Sequence, residues 1–210
     1  MQKKRIFIAI NLPQGVRDEL ERHIADLALK VPESVRFVAL EFLHFTLTFL
    51  GDQTDETIGD IVSVMREIIP QFLPPEIAIT GIVYGPPGGA PRMIWAMTDE
   101  ASSEAVSEIK TALEDALAER GVSFEREARK YLGHLTLARL AVALASSKPS
   151  AQHGPVKRAR FERIESLPDI AVPLNIRFIA ESADLMESNL KRSGAEYAVM
   201  AEVEFGEELG

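Results

Sequence analysis

Two histidines of this 210-residue sequence lie in matching motifs. His44 begins the run H-F-T-L, and 90 positions later His134 begins the run H-L-T-L. Near neutral pH one imidazole can be neutral and accept a proton while another is charged and donates one. The hydroxyls of Thr46 and Thr136 can hydrogen-bond the non-bridging oxygens of a phosphate. If the two motifs meet, their four polar groups therefore suit acid–base chemistry at a phosphodiester.

The first motif lies in a run typical of a β-strand, Leu43–Leu50. Side chains alternate between the two faces of a strand, so we expect Thr46 and Thr48 to share the face of His44. The same alternation places Phe49 with the apolar side chains on the opposite face. The polar face of such a strand must line solvent or a cleft, while the apolar face packs in the core.

The second motif lies in a similar run, Leu135–Leu140, where alternation places Thr136 on the face of His134. The same alternation places Arg139 on the opposite face, and only a bulge or the end of the strand would turn it towards the histidine. We therefore leave Arg139 out of the predicted catalytic residues.

A single H-x-T motif in an apolar strand is usually structural. The sequence has only four histidines, however, and two of them in matching settings make coincidence the weaker interpretation. The other two, His23 in a predicted helix and His153 in a Ser/Pro/Gly-rich segment, are interpreted as surface residues. The motifs complete no usual zinc-ligand pattern and the sequence has no cysteine, so we expect neither a metal site nor a cofactor.

Apolar periodicity predicts three amphipathic helices: Pro13–Lys30, Asp55–Ile69 and Ser102–Arg120. Eight strand-like runs lie between and after them: Arg5–Ile10, Val35–Leu40, Leu43–Leu50, Ile77–Tyr84, Arg92–Met97, Leu135–Leu140, Leu174–Ala180 and Tyr197–Phe205. Two loops, Gly85–Pro91 and Ala145–Pro155, do not resemble interdomain linkers, because apolar strands resume on both sides. We therefore expect an α+β fold, with sheet segments covered by helices, in one domain that spans residues 1–210.

The composition limits the classes of partner. A net charge of −9 argues against a protein that coats nucleic acid by neutralising many phosphates, although it leaves room for one local phosphate site. Basic residues cluster at 126–130 and at 157–160, and we interpret both clusters as solvated surface charge. No run approaches the ~20 apolar residues that span a bilayer, so we expect no membrane partner and a location in the cytoplasm.

The two motifs and their flanks resemble the 2H phosphoesterase superfamily, and within it the bacterial and archaeal RNA 2′,3′-cyclic phosphodiesterases once called 2′-5′ RNA ligases. The matching segments are the opening strand Arg5–Ile10, the block Leu43–Gly51, the middle strand Pro91–Ala96, the block His134–Arg139 and the closing segment Glu187–Tyr197. The sequence departs from the family pattern at Thr48, where many relatives have a basic residue, and at Gly133, where proline is usual.

The resemblance implies two pseudo-symmetric, internally duplicated lobes around a central cleft, each with one H-x-T motif. It also implies metal-independent hydrolysis of RNA 2′,3′-cyclic phosphate ends to a 2′-phosphate, with His44 as the acid and His134 as the base. Tyr131 matches a position that is usually aromatic and Arg129 one that is often basic, which suggests base stacking and phosphate contact. Packing is an equal alternative for Tyr131.

Other functions stay open from the sequence. The substrate of a two-histidine enzyme could instead be a 2′-5′ oligonucleotide or a small cyclic nucleotide, or the reaction could be the ligation of RNA halves. The same cleft could bind a nucleotide such as AMP without catalysis, as a sensing module, and the histidines could be purely structural. In each functional reading the partner is an RNA terminus or a nucleotide, and we expect a monomer.

Overall fold

The computed structural model describes residues 3–88, 90–140, 167–191 and 194–207. Its helices are α1 (Gln14–Ala28), α2 (Asp55–Ile68) and α3 (Glu100–Glu119). Its strands are β1 (Lys4–Asn11), β2 (Val35–Phe37), β3 (His44–Gln53), β4 (Glu76–Gly85), β5 (Met93–Thr98), β6 (His134–Leu140), β7 (Val172–Ile179), β8 (Ser182–Lys191) and β9 (Gly194–Glu204). The predicted loop Ala145–Pro155, His153 and the basic cluster 157–160 lie outside the described residues.

The described strands form one antiparallel sheet, whose order mirrors about its centre. The order is β7-β4-β5-β6-β3-β1-β8-β9, and β2 also pairs with β6. The two strands that begin with His44 and His134 are neighbours at the centre, and three further strands flank each of them. The predicted α+β fold with two pseudo-symmetric lobes is therefore confirmed.

The helices cover one face of this sheet. On β1 the side chains of Ile6, Ile8 and Ile10 alternate into a core that also holds the apolar stripes of the three helices. Two of the helices start at side-chain caps: Thr54 accepts from the backbone of Thr57 in α2, and Asp99 accepts from Ser102 in α3.

The opposite face of the sheet, which carries His44 and His134, is called the histidine face below. A small cluster of Phe7, Ala9 and Met186 packs on it, against Tyr197. No helix in the described part of the chain is long and apolar enough to cross a membrane.

The helix predictions are confirmed to within two residues at each end. One strand prediction is wrong, and one strand was not predicted. The run Val35–Leu40 is a strand only to Phe37, because the chain then leaves β6 and forms a short 3₁₀ turn, Leu40–Phe42, that leads into β3. Strand β8 was not predicted, because polar residues interrupt its alternation.

Candidate active site

The two H-x-T motifs start the two central strands. β3 and β6 pair at Phe45 and Leu135, the residues that directly follow the two histidines. Both of these apolar side chains are buried in the helix-covered core. Alternation therefore directs His44 and His134 to the histidine face, together with the threonine of each motif, and the structure brings together these four predicted groups.

A β-bulge changes the alternation of β3 after Thr46. The partner strand β1 pairs Ala9 with Thr46 and Ile8 with Thr48, so Leu47 is the extra residue, and Leu47 and Thr48 are both buried. The hydroxyl of Thr48 donates to Oε1 of Glu114 at 2.8 Å on the helix-covered side. The prediction that Thr48 shares the face of His44 is therefore wrong.

The same bulge moves Phe49 to the histidine face. Its side chain is 61% exposed, and its ring lies 5.8 Å from the ring of Phe7. The prediction that Phe49 packs with the apolar face is wrong for the same reason. An exposed phenyl ring therefore lies on the histidine face, on the strand that carries His44.

An equivalent bulge in β6 turns Arg139 to the histidine face. β5 pairs Trp95 with Thr136 and Ile94 with Ala138, which leaves Leu137 as the extra residue. Leu137 and Ala138 are both buried, and Arg139 is exposed. The sequence alternation that placed Arg139 opposite the histidine is therefore wrong, because it assumed a regular strand.

Backbone carbonyls orient both imidazoles. Nδ1 of His44 lies 2.8 Å from the carbonyl oxygen of Phe42, and Nδ1 of His134 lies 2.7 Å from that of Leu132. A carbonyl only accepts, so Nδ1 carries the proton that it donates, and Nε2 of each ring is the nitrogen left for a substrate.

The aromatic neighbours of the two rings differ. His44 lies 4.9 Å from the ring of Phe7 and makes an edge contact of 5.1 Å with Tyr197. His134 instead stacks on Trp95, with ring centroids 3.8 Å apart and planes inclined by 24°. The indole can lie this close because Gly85 is beneath it; a Cβ at that position would come within 2.3 Å of the ring.

Burial lowers the pKa of both histidines below the ordinary value of 6.5. The bonds from their Nδ1 atoms to backbone carbonyls partly oppose this lowering. The positive charge of His134 lowers the pKa of His44 further, so the two rings are electrostatically coupled. Protonation of one imidazole therefore disfavours protonation of the other, as a pair with one acid and one base requires.

The other two predicted site residues lie in the segment before β6. Tyr131 packs against the helix-covered core and donates its hydroxyl to the backbone oxygen of Thr46 at 3.0 Å, and burial raises its pKa. Arg129 is exposed and forms two hydrogen bonds with Glu127, at 2.8 and 3.1 Å. The packing alternative fits Tyr131, because its hydroxyl links the segment before β6 to β3.

The sequence did not single out three aromatic residues near the histidines as site residues: Phe7, Trp95 and Tyr197. Within the described residues, no group of three or more histidine, aspartate or glutamate side chains is arranged to hold a metal ion. The repeat itself held one usable signal, because H-x-T-L is followed at the same offset by Phe49 in one copy and Arg139 in the other.

Known proteins place the chain in a family. A family profile described as LigT like Phosphoesterase matches residues 10–95. The RNA 2′,3′-cyclic phosphodiesterase of Methanothermobacter thermautotrophicus is 33% identical over 138 residues, which cover 66% of this chain and 72% of that protein. The protein of the same name from Methanocaldococcus jannaschii is 27% identical over 94% of this chain and 99% of its own length.

Solved structures agree with this placement in fold. The crystal structure of TT0787 from Thermus thermophilus superposes with a TM-score of 0.71 at 24% identity, covering 95% of this chain and 97% of that one. Escherichia coli LigT complexed with 3′-AMP superposes with a TM-score of 0.66 at 21% identity, covering 98% and 100%. The chain therefore belongs to the LigT-like phosphoesterases and is an enzyme of that family.

Proposed function

We propose that this enzyme hydrolyses RNA ends that carry a 2′,3′-cyclic phosphate and that it does so without a metal ion. The observation that carries the proposal is the pair of imidazoles on one face of adjacent strands, each anchored through Nδ1. The names of the archaeal relatives, one of them 33% identical, support the substrate class. We further propose that the chain is one domain of two duplicated lobes and that it acts as a monomer in the cytoplasm.

In the proposed reaction the phosphate lies between the two rings. Nε2 of His134 accepts a proton from water, and the water oxygen attacks phosphorus as the bond to the 3′ oxygen breaks. Nε2–H of His44 donates its proton to that oxygen, which leaves a 2′-phosphate and consumes one water.

Three further groups are proposed to bind the phosphate. The hydroxyls of Thr46 and Thr136 lie two residues after the histidines on the same face, where they can donate to non-bridging oxygens. The guanidinium of Arg139, turned to this face by the bulge, adds a positive charge. Contact of Arg129 with phosphate stays a prediction, and so does stacking of Tyr131 on a base.

The terminal base is proposed to pack on the exposed ring of Phe49. Phe49 follows Thr46 along β3 in the direction away from His44, and its ring lies 5.8 Å from that of Phe7. Stacking on an aromatic ring is tolerant of base identity, since every base has a π face.

A cleavage assay on RNA ending in a 2′,3′-cyclic phosphate tests the proposal. We expect turnover in the presence of a chelator, and a product that resists a 3′-specific phosphatase and gives the phosphorus NMR signal of a 2′-monoester. A 3′-phosphate product would overturn the acid assignment of His44 but not the two-histidine mechanism. Cleavage of 2′-5′ oligonucleotides alone, or tight binding of AMP without turnover, would instead favour the alternatives from the sequence.

A further inference from the structure

A closed ring of hydrogen bonds holds the backbone of Gly133, the residue that directly precedes His134. The N–H of Gly133 donates to Oγ of Ser103 at 3.1 Å, and its carbonyl oxygen accepts from Oγ1 of Thr98 at 3.1 Å. The two hydroxyl oxygens lie 2.8 Å apart. Because Thr98 donates its proton to the carbonyl, the proton between the two hydroxyls belongs to Ser103. Each donor in the ring therefore has one acceptor, and the ring closes on Gly133.

The ring requires a residue without a Cβ at position 133. A Cβ there would come within 2.3 Å of Oγ1 of Thr98 and 3.2 Å of Oγ of Ser103. The φ of Gly133 is not in the left-handed region, so space and not backbone conformation explains the glycine. Glycine has the most backbone freedom of any residue, and the two hydroxyls remove that freedom directly before the histidine.

The ring acts on the group that orients the imidazole of His134. The carbonyl of Leu132 and the N–H of Gly133 belong to one planar peptide group and point in opposite directions. The carbonyl accepts from Nδ1 of His134 at 2.7 Å, while the N–H donates to Ser103. The bond to Ser103 therefore sets the direction of the carbonyl that anchors the imidazole. Donation by the N–H also polarises the amide, which makes its carbonyl a stronger acceptor.

Both hydroxyls are held by regular elements and shielded from water. Thr98 ends β5, and its backbone N–H also donates to the carbonyl oxygen of Gly133 at 2.9 Å. Ser103 lies in the first turn of α3, which Asp99 caps by accepting from the backbone of Ser102. Thr98 and Ser103 are 8% and 7% exposed, so water does not compete for their bonds. The backbone before His134 is thereby tied to the start of α3.

The first motif supports its anchor differently. Leu43 is the residue that precedes His44, and its side chain is buried in the helix-covered core. Its backbone N–H donates to the carbonyl oxygen of Leu40 at 3.2 Å, in the 3₁₀ turn that leads into β3. The two imidazoles thus have the same kind of anchor, but a local turn supports one anchor and a contact with α3 supports the other.

We propose that Ser103 and Thr98 are positioning residues for His134. They act through the peptide group that joins Leu132 to Gly133, and the inference rests on the proposed function of His134 as a proton acceptor. With Nδ1–H held by the carbonyl of Leu132, Nε2 of the neutral ring is free to accept a proton. If the peptide group turns, the ring can take the other tautomer, in which Nε2 carries a proton and cannot act as the base.

Ser103→Ala tests the proposal kinetically, and Ser102→Ala is its matched control. Both serines are buried in the same turn of α3, and Ser102 likewise accepts from one backbone N–H, that of Ala78 in β4, at 2.9 Å. Both variants should lose stability, because each leaves a buried N–H without its acceptor. Only Ser103→Ala should lower kcat, by roughly threefold to thirtyfold with KM nearly unchanged, since a small misplacement of a reacting group can cost ~10²-fold. Thr98→Val should lower kcat by less, because the backbone N–H of Thr98 still donates to Gly133.

A second measurement does not depend on turnover, because NMR of the imidazole nitrogens reports which of them carries the proton in the neutral ring. In the wild type both rings should be protonated on Nδ1. In Ser103→Ala the Nε2–H tautomer of His134 should appear, while His44, whose anchor does not involve α3, should be unchanged. An unchanged tautomer of His134 in Ser103→Ala, or an equal loss of kcat in Ser102→Ala, would overturn the proposal. If the wild type cleaves no cyclic phosphate, the proposed function fails, and the tautomer still decides the positioning role.

Discussion

His44 and His134 are held alike, because Nδ1 of each donates to the carbonyl oxygen two residues earlier, but their surroundings differ. His44 is enclosed by Phe7 and Tyr197, which approach at an angle, while His134 lies nearly flat on Trp95. The lobes thus repeat the anchoring of the imidazole and vary the groups that determine its charge. This difference can give two similar motifs opposite roles in proton transfer.

The ends of the two motif strands, β3 and β6, also combine a shared backbone geometry with different side chains. After equivalent bulges, β3 presents Phe49 to the histidine face and β6 presents Arg139. One lobe therefore contributes an apolar surface and the other a positive charge. If Phe49 packs on the base and Arg139 binds a phosphate, as proposed, the substrate binds in one orientation, which the variation between the two repeats determines.

Removing either histidine should have the largest effect, because in the proposed mechanism each lobe supplies one of the two acid–base groups. We expect His44→Ala and His134→Ala each to lower turnover by ~10²–10⁴ on the cyclic-phosphate substrate, the range for loss of one acid–base group. The double variant should lose less than the product of the two factors, because the groups act as a unit. Loss in only one of the single variants would mean that the lobes do not share the chemistry.

Substitution of the threonines tests whether the β3 bulge separates Thr46, on the histidine face, from Thr48, in the core. Thr46→Val and Thr136→Val should each lower turnover by roughly 10–10³, because each removes one phosphate donor at nearly constant volume. Thr48→Val is the matched control, since its hydroxyl donates to buried Glu114. It should lower the free energy of unfolding by about 1–3 kcal/mol and leave turnover near wild type, as measured by denaturant titration and kinetics. A catalytic defect in a stable Thr48→Val protein would place the hydroxyl in the site after all.

Part of the fold could be predicted from the sequence. Periodicity predicted the three helices and the strand start at each motif, because both depend on local apolar spacing. It did not predict β8, where the carboxylate of Asp184 is buried and accepts from the amide of Asn11 at 2.5 Å. A buried polar pair between strands distant in sequence interrupts the apolar pattern.

The faces on which the remaining site residues lie depend on how the strands pair. The bulges at Leu47 and Leu137 are defined by the registers of β1 and β5, which the motif strands alone do not reveal. The paired histidines and threonines could therefore be named from the sequence, whereas the groups that orient the substrate could not, and the roles of acid and base came only from the family resemblance.

The pH dependence sharpens the comparison of the two rings. The proposed mechanism needs one imidazolium and one neutral imidazole, and burial lowers the pKa of both rings in the free enzyme. The bell of kcat/KM against pH should therefore lie on the acid side of the ordinary value of 6.5, and activity should fall above it as the acid loses its proton. A bound anionic phosphate favours the imidazolium, so the kcat bell should lie at higher pH. A kcat/KM bell centred above pH 7 would contradict the buried environment.

The smallest expected effect concerns the stack of Trp95 on His134. An indole face attracts a cation, so this stack should favour the imidazolium of His134 and oppose the lowering of its pKa by burial. If His134 is the base, its positive charge develops as it accepts the proton of water, and the indole stabilises the transition state more than the ground state. Trp95→Leu should therefore lower the pKa of His134 and slow turnover about threefold to thirtyfold, equivalent to about 0.7–2 kcal/mol.

The pKa should be measured by NMR titration of His134 in a His44→Ala background, which removes the coupling between the rings. Phe7→Leu is the matched variant in the other lobe, where the ring is 4.9 Å from His44 and tilted by 35°. Read in a His134→Ala background, it should shift the pKa of His44 by less than Trp95→Leu shifts that of His134, because the closer and flatter indole has the stronger attraction for a cation. An equal or larger shift from Phe7→Leu would mean that the aromatic neighbours do not distinguish the rings. The difference between acid and base would then have to arise from the substrate's orientation between Phe49 and Arg139.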